Sequence, residues 1–331
     1  MNVCFAGSLL AATFAMLEIG VRLLGYSERY MFDPIYTSSD ESNDIPYVYK
    51  PNLANVRAMG GIVINTDSLG LRAKVSGARY GRKLAREYRI AMAGDSVTFG
   101  TGVAAVEDTF SEVLEKTLNS KQADLRIQVF NYGVGAYSVK EMVSTLRHRM
   151  LAIEPDLVIM AIIPEDFDLD RAPRINSEGY LISRKRSGLL SPDSYIRQLI
   201  RDVHSVYFLR DIAGRILASR DAVPMTTIDG YPISYQYLLQ FNKTAKEHKR
   251  ASLIVLLPSM QSEFGQVSSQ LYRDNVAFLD LSVLRNEFTE HAFKASRFDG
   301  HPSAAVHHRI GEELAEYLLR DRLKESSGET E

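Results

Sequence analysis

The stretch AGDSVTFGTG (93–102) sets a serine between an aspartate and small residues, directly after the apolar run YRIAMA. A serine hydroxyl is a weak nucleophile unless a neighbouring base takes its proton. The late segment FDGHPSAAVHH (298–308) offers that base. His301 can accept the proton of Ser96, and a carboxylate at Asp299 can fix the imidazole tautomer and stabilise the imidazolium. The chemistry implied is attack by Ser96 on a carbonyl carbon. Such a reaction also needs N–H donors aimed at the developing oxyanion.

These residues need a scaffold that brings them together from opposite ends of the chain. Five short runs, nearly continuous in apolar character, predict strands at 88–93, 126–133, 156–163, 251–258 and 275–281. Runs of that length and composition suit strands covered on both faces. Between them, DTFSEVLEKTLNS and SVKEMVSTLRHRML carry apolar residues at three- and four-residue spacing and predict helices, as does the segment from Pro302 to about Leu323. Strand–helix alternation implies a parallel, doubly wound sheet. In such sheets ligands bind beyond the C-terminal ends of the strands, where Ser96 falls. Residues 87–325 are read as this domain and 168–240 as a helical insertion between its third and fourth strands. Residues 27–86 are read as an irregular approach segment and 326–331 as a disordered tail.

Four blocks carry a resemblance to the SGNH/GDSL hydrolase family. GDSVTFG (94–100) is similar to its first block, VFNYGVGAYS (129–138) to its second, PDLVIMAIIPEDF (155–167) to its third and DGHPSAA (299–305) to its last. VINTDSLGLR (63–72) and an apolar N-terminus ending in RLLGY resemble the membrane-anchored branch of that family. The resemblance implies a flavodoxin-like three-layer αβα fold with a parallel sheet of about five strands, preceded by one transmembrane helix. It implies ester hydrolysis or acyl transfer, often of acetyl groups on carbohydrates, with Ser96, His301 and Asp299 as the catalytic residues. The family's oxyanion donors are the serine amide, a second-block glycine amide and a third-block asparagine side chain. Here that glycine falls on Ala136, with Gly135 beside it, and the Asn-Asp pair is replaced by Glu165-Asp166. Asp95, Gly135, Ala136, Glu165 and Asp166 are therefore the candidate oxyanion or substrate-binding residues. An ionised glutamate accepts hydrogen bonds and cannot donate one. Alanine keeps its N–H, so the change at 136 matters only if the backbone there needs a positive φ. The Asp-x-His spacing also departs from the family's more usual Asp-x-x-His.

The N-terminus, VCFAGSLLAATFAMLEIGVRLLGY (3–26), carries only Glu18 and Arg22 as charges. About 20 apolar residues span a bilayer. The two charges stand four apart with the acid first, so they can pair along one helix face near an interface. A membrane anchor holding lipid through residues 3–26 is expected; a removed signal peptide or a buried amphipathic helix are the alternatives. Gly7, Ser8, Ala11, Ala12 and Ala15 would permit close helix packing, which opens a second function: a non-catalytic subunit of a membrane protein complex. The single cysteine, Cys4, excludes a disulfide framework and any multi-cysteine metal site, and fits an extracytoplasmic, periplasmic body. Arg22 and Arg29, taken alone, favour a cytoplasmic one.

A formal net charge of −2 gives no basic excess for nucleic acid, and Arg184-Lys185-Arg186 reads as a solvated loop. YGVGAY lacks the full dinucleotide fingerprint and there is no phosphate-loop GK[ST], so no cofactor is expected. His148, His204, His248 and His291 show no ligand spacing, and His307 and His308 are read as helix-surface residues, so no metal is expected.

Overall fold

The computed structural model describes residues 2–26, 33–39, 44–122, 124–182, 203–218, 231–260 and 264–321. The Arg184-Lys185-Arg186 cluster, Arg29, the first part of the predicted insertion helices and the 326–331 tail lie outside the described residues.

The chain opens with helix α1 (Asn2–Leu23). The approach segment then forms short antiparallel pairs. Strand β1 (Tyr36–Thr37) pairs with β2 (Val48–Tyr49), and β4 (Ile62–Thr66) pairs with both β3 (Val56–Ala58) and β5 (Arg72–Ala73). Their buried side chains form a cluster of their own, in which Tyr36, Tyr47, Tyr49, Phe99 and Tyr137 pack together.

The main sheet comprises β6 (Glu87–Gly94), β7 (Arg126–Gly133), β8 (Leu157–Ile162), β11 (Ala251–Leu256) and β12 (Phe278–Asp280). Between β8 and β11 lies a small hairpin of β9 (Arg174–Ile175) and β10 (Leu181–Ile182). All four pairings of the main sheet are parallel and the order is β12-β11-β8-β6-β7. That is the flavodoxin-like order, with the switch point between β6 and β8.

Strand alternation sends neighbouring residues to opposite faces. Ala91, Ala93, Val158 and Met160 join one buried layer, and Ile90, Met92, Leu157 and Ile159 join the other. Both faces are therefore covered, which is why these strands read as unbroken apolar runs. Helices α3 (Phe110–Lys121) and α9 (Ala304–Asp321) supply one layer, seen in Leu114, Leu118, Ile310 and Leu314. Helices α4 (Val139–His148), α6 (Tyr231–Glu247) and α7 (Gln266–Arg273) supply the other, seen in Met142, Leu238, Phe241 and Val267. The three-layer α/β fold follows directly. Remaining elements are α2 (Ser96–Phe99), α5 (His204–Ala218), α8 (Glu290–Phe293) and a hairpin of β13 (Lys294–Ser296) and β14 (Asp299–Pro302).

One expectation is overturned in α9. His307 is fully buried rather than on the helix surface. Its Nδ1 accepts the Phe110 N–H at 3.2 Å, and burial with nearby Arg72 holds its pKa down to about 3. A neutral ring fits beside Phe110 and leaves the N-terminus of α3 satisfied. His308 is exposed and faces Asp108 at 2.8 Å.

Candidate active site

The corner that carries Ser96, the candidate nucleophile, is built by β6 running into the single turn of α2. Asp95 caps that turn: its Oδ1 accepts the Val97 N–H at 2.9 Å, and its side chain is buried. The turn packs tightly against the second block, where a Cβ on Gly133 would lie 2.4 Å from the Phe99 nitrogen. Arg72 fixes the loop that follows. Its guanidinium donates to the Gly100 carbonyl at 2.7 Å and the Val103 carbonyl at 2.6 Å. Asn131, also from the second block, donates to the Thr98 carbonyl at 2.6 Å and accepts the Gly133 N–H at 2.9 Å. Ser96 thus sits on a corner braced from three directions.

His301 and Asp299 reach it from the β13–β14 hairpin. Ser96 Oγ lies 2.9 Å from His301 Nε2, and His301 Nδ1 lies 2.5 Å from Asp299 Oδ1. Residues i and i+2 of a strand share a face. That is how one intervening residue, Gly300, suffices: Asp299 and His301 both lie on β14. Asp299 Oδ1 also accepts the His301 N–H at 3.1 Å. Burial of the imidazole favours its neutral form, yet the hydrogen bond and charge of Asp299 outweigh burial and raise the pKa above its usual value.

The third block enters after β8, on the other side of the switch point. Glu165 lines the same cleft as Ser96 and His301, a cavity of about 280 Å³. Its carboxylate accepts from Ser259 Oγ at 3.1 and 3.3 Å. Asp166 points the other way, is fully buried, and accepts the Ile163 N–H at 2.9 Å. Burial pushes the Asp166 pKa up, the charge of Asp95 adds to this, and Arg171 opposes it.

The second-block candidates lie beside Ser96. A Cβ on Gly135 would sit 3.9 Å from Ser96 Cβ, so this backbone passes beside the serine. Its carbonyl accepts the Tyr47 hydroxyl at 2.7 Å, which ties the loop to the aromatic cluster of the approach segment. Ala136 adopts φ +64°, the left-handed conformation in which the family resemblance places glycine. A residue with a Cβ pays roughly 1–2 kcal/mol there. Ala136→Gly is therefore expected to raise unfolding free energy by about 1 kcal/mol, part of the gain being returned through the unfolded chain. Urea denaturation at constant m-value measures it.

Two residues in the cleft escape a reading from sequence. Arg171 joins the acid pair, with Nη2 3.1 Å from Asp95 Oδ2 and Nη1 bonded to Asp166 Oδ1. Ser96 Oγ is itself 3.2 Å from that same Asp95 Oδ2. The serine has one proton and two acceptors within reach, His301 and Asp95. Arg171 shares Asp95 Oδ2 with the serine hydroxyl and places a positive charge beside it. A lone arginine in a polar loop carries no mark of this placement. Ser259 did carry one: it follows a predicted strand at its C-terminal end, the ligand-binding edge. Arg171→Met would leave two buried carboxylates unpaired, and a loss of about 3–5 kcal/mol in urea unfolding is expected.

No family model matches the chain, and no curated protein matches it. Similar solved structures do exist. A member of the lipolytic protein G-D-S-L family from Veillonella parvula DSM 2008 is 12% identical, with 70% of this chain and 99% of that chain covered and a TM-score of 0.42. A catalytic mutant of Axe2, an acetylxylan esterase from Geobacillus stearothermophilus, is 17% identical over 73% and 95% of the two chains, with a TM-score of 0.42. The lipase/acylhydrolase from Enterococcus faecalis is 12% identical over 70% and 95%, with the same score of 0.42. The fold assignment itself rests on the strand order and pairing described above.

Among the described residues, no group of His, Cys, Asp and Glu is arranged to hold a metal ion.

Proposed function

We propose that this chain is a membrane-anchored serine esterase or acyltransferase acting on an O-acetyl ester, such as an acetylated glycan, with its catalytic body on the extracytoplasmic side. The single observation that carries the esterase reading is the unbroken relay from Ser96 Oγ through His301 to Asp299 at 2.9 and 2.5 Å. Ser96 Oγ attacks the ester carbonyl carbon while its proton passes to His301 Nε2. The tetrahedral oxyanion collapses, and His301 returns the proton to the departing alcohol. Water, or an acceptor hydroxyl in acyl transfer, then attacks the acyl-serine with His301 again as base. Asp299 holds the Nδ1 proton throughout. The Ser96 N–H and the N–H groups of the Gly135–Ala136 loop are the donors proposed for the oxyanion, since the Val97 N–H is taken by Asp95 and Glu165 accepts.

Anchoring is supported by α1. Its Phe5–Leu23 stretch is 19 residues long with mean hydropathy 1.4, and Phe5, Leu10, Met16 and Leu23 are exposed. A second reading, a non-catalytic subunit of a membrane complex, is favoured by Glu165, whose charge opposes the oxyanion.

A fluorophosphonate probe separates the two. Labelling of the wild type that is lost with His301→Ala supports a working nucleophile. No labelling, together with background hydrolysis of p-nitrophenyl acetate, overturns the esterase reading in favour of the second. The pH profile supplies a further check. His301 must be neutral to act as base, and its pKa is raised. The imidazolium therefore persists to higher pH, and kcat/KM should climb through a midpoint above the ordinary histidine value of about 6.5. Asp299→Asn should move that midpoint down.

A further inference from the structure

Glu18 is an anomaly in an otherwise apolar helix, and its contacts explain its presence. The carboxylate accepts the backbone N–H of His204 at 3.0 Å and of Ser205 at 2.7 Å. Arg22 Nε donates to the same carboxylate at 2.7 Å. The first N–H groups of a helix lack intrahelical partners. Those of α5 are therefore capped by a side chain from α1, more than 180 residues earlier in the chain.

That cap fixes a depth. Glu18 precedes Leu23, the last residue of the apolar stretch, by five positions (23 − 18). Five residues of helix span about 8 Å. If α1 spans the bilayer up to Leu23, the start of α5 is held about 8 Å inside that boundary, the depth at which interfacial helices lie. The side chains of α5 agree with such a medium. Leu209 and Ile212, one helical turn apart, are 47% and 39% exposed.

The same junction reaches the catalytic hairpin. Tyr26, just beyond α1, is buried with its ring edge-on to Phe208 of α5 at 5.1 Å and to Phe298 at 4.9 Å. Phe298 immediately precedes Asp299, the carboxylate of the relay. The end of the anchor, the interfacial helix and the strand bearing Asp299 and His301 meet at one aromatic contact.

We infer that α5 is a second membrane-contacting element, lying in the bilayer interface beside α1, and that it seats the catalytic hairpin at the lipid surface so that the ester taken is carried by a membrane-resident molecule. This rests on the anchored-esterase reading, and its test keeps the two apart. The full chain is reconstituted in lipid nanodiscs in a Cys4→Ser background, which removes its only cysteine. Single cysteines replace Leu209, Ile212, Leu10 and Val75, each carrying an environment-sensitive fluorophore. Val75 is exposed in the approach segment and serves as the aqueous reference. Quenching by spin-labelled lipid at 209 and 212, at the level seen at 10 and well above that at 75, is the expected result. Iodide quenching at 209 and 212 equal to that at 75, with 10 protected, overturns the inference and leaves the anchor standing. Iodide access at 10 overturns the anchor reading, and the inference with it.

A second arm addresses the substrate. The double variant Leu209→Asp/Ile212→Asp should lose about tenfold in turnover of an acetylated amphiphile held in vesicles, and keep its rate on water-soluble p-nitrophenyl acetate. Equal effects on the two substrates, whether loss or none, overturn the membrane-borne ester.

Discussion

Ser96→Ala is expected to lower kcat for p-nitrophenyl acetate by a factor on the order of 10⁴–10⁶, leaving no more than the residual rate that binding and oxyanion donors provide. The size follows from what the hydroxyl does. In the proposed mechanism Ser96 Oγ is the attacking atom, and its proton goes to His301 Nε2 at 2.9 Å. Alanine preserves the packing, since the turn of α2 is held by Asp95, Arg72 and Asn131 rather than by the hydroxyl. Stability should change little, which distinguishes loss of chemistry from loss of fold. His301→Ala should cost a similar factor, and the double variant no more than either single one, because the two act as a unit. Additive losses would show that His301 and Ser96 serve separate purposes.

Glu165→Asn is expected to raise kcat by about 10²–10³, the usual worth of one oxyanion donor. The carboxylate lines the cleft with Ser96 and accepts from Ser259, so the position is open to the reacting ester. Asparagine keeps an acceptor for Ser259 and adds an NH₂, and it removes a negative charge from beside the developing oxyanion. Glu165→Gln separates the two contributions: it removes the charge on a longer arm, so a smaller gain there assigns the remainder to donor placement. An unchanged or lower kcat for both variants, with phosphonate labelling of Ser96 intact, would show that backbone amides already satisfy the oxyanion.

The layers and sheet of this protein were legible from local pattern. Each main strand appeared as an apolar run because both of its faces are covered, and burial on both faces is a property that composition records. Helix α3, with Thr109 as its N-cap, fell in the run DTFSEVLEKTLNS, and α9 was legible from its apolar spacing. Alternation implied only a parallel doubly wound sheet; the flavodoxin-like order was what the block resemblance implied, and the pairing shows it. The approach segment was less legible. Its five short strands carry little periodicity, and its order comes from tyrosines that stack on one another and on Phe99 of the first block, with Tyr137 of the second block edge-on to Tyr47.

Sequence alone also determined the residue types at the cleft: a serine at a strand end, a histidine near the last helix, and a glutamate where the family resemblance places an asparagine. What it could not determine was distance. Asp299 and His301 meet because both lie on one face of β14, and the two-residue strand period settles a spacing that a loop would have left ambiguous. Ala136 takes φ +64° because the tertiary loop demands it, against the preference of its own side chain. His307 became a buried neutral ring because helix α9 docks on the start of α3. Arg171 carried no pattern, and Glu18 showed only its i,i+4 pairing with Arg22. Their remaining partners come from distant segments, Asp95 for Arg171 and the amides of His204 and Ser205 for Glu18. Hydrophobic periodicity is a local property and survives in sequence; the pairing of isolated charges is a long-range one, and only the folded chain decides it.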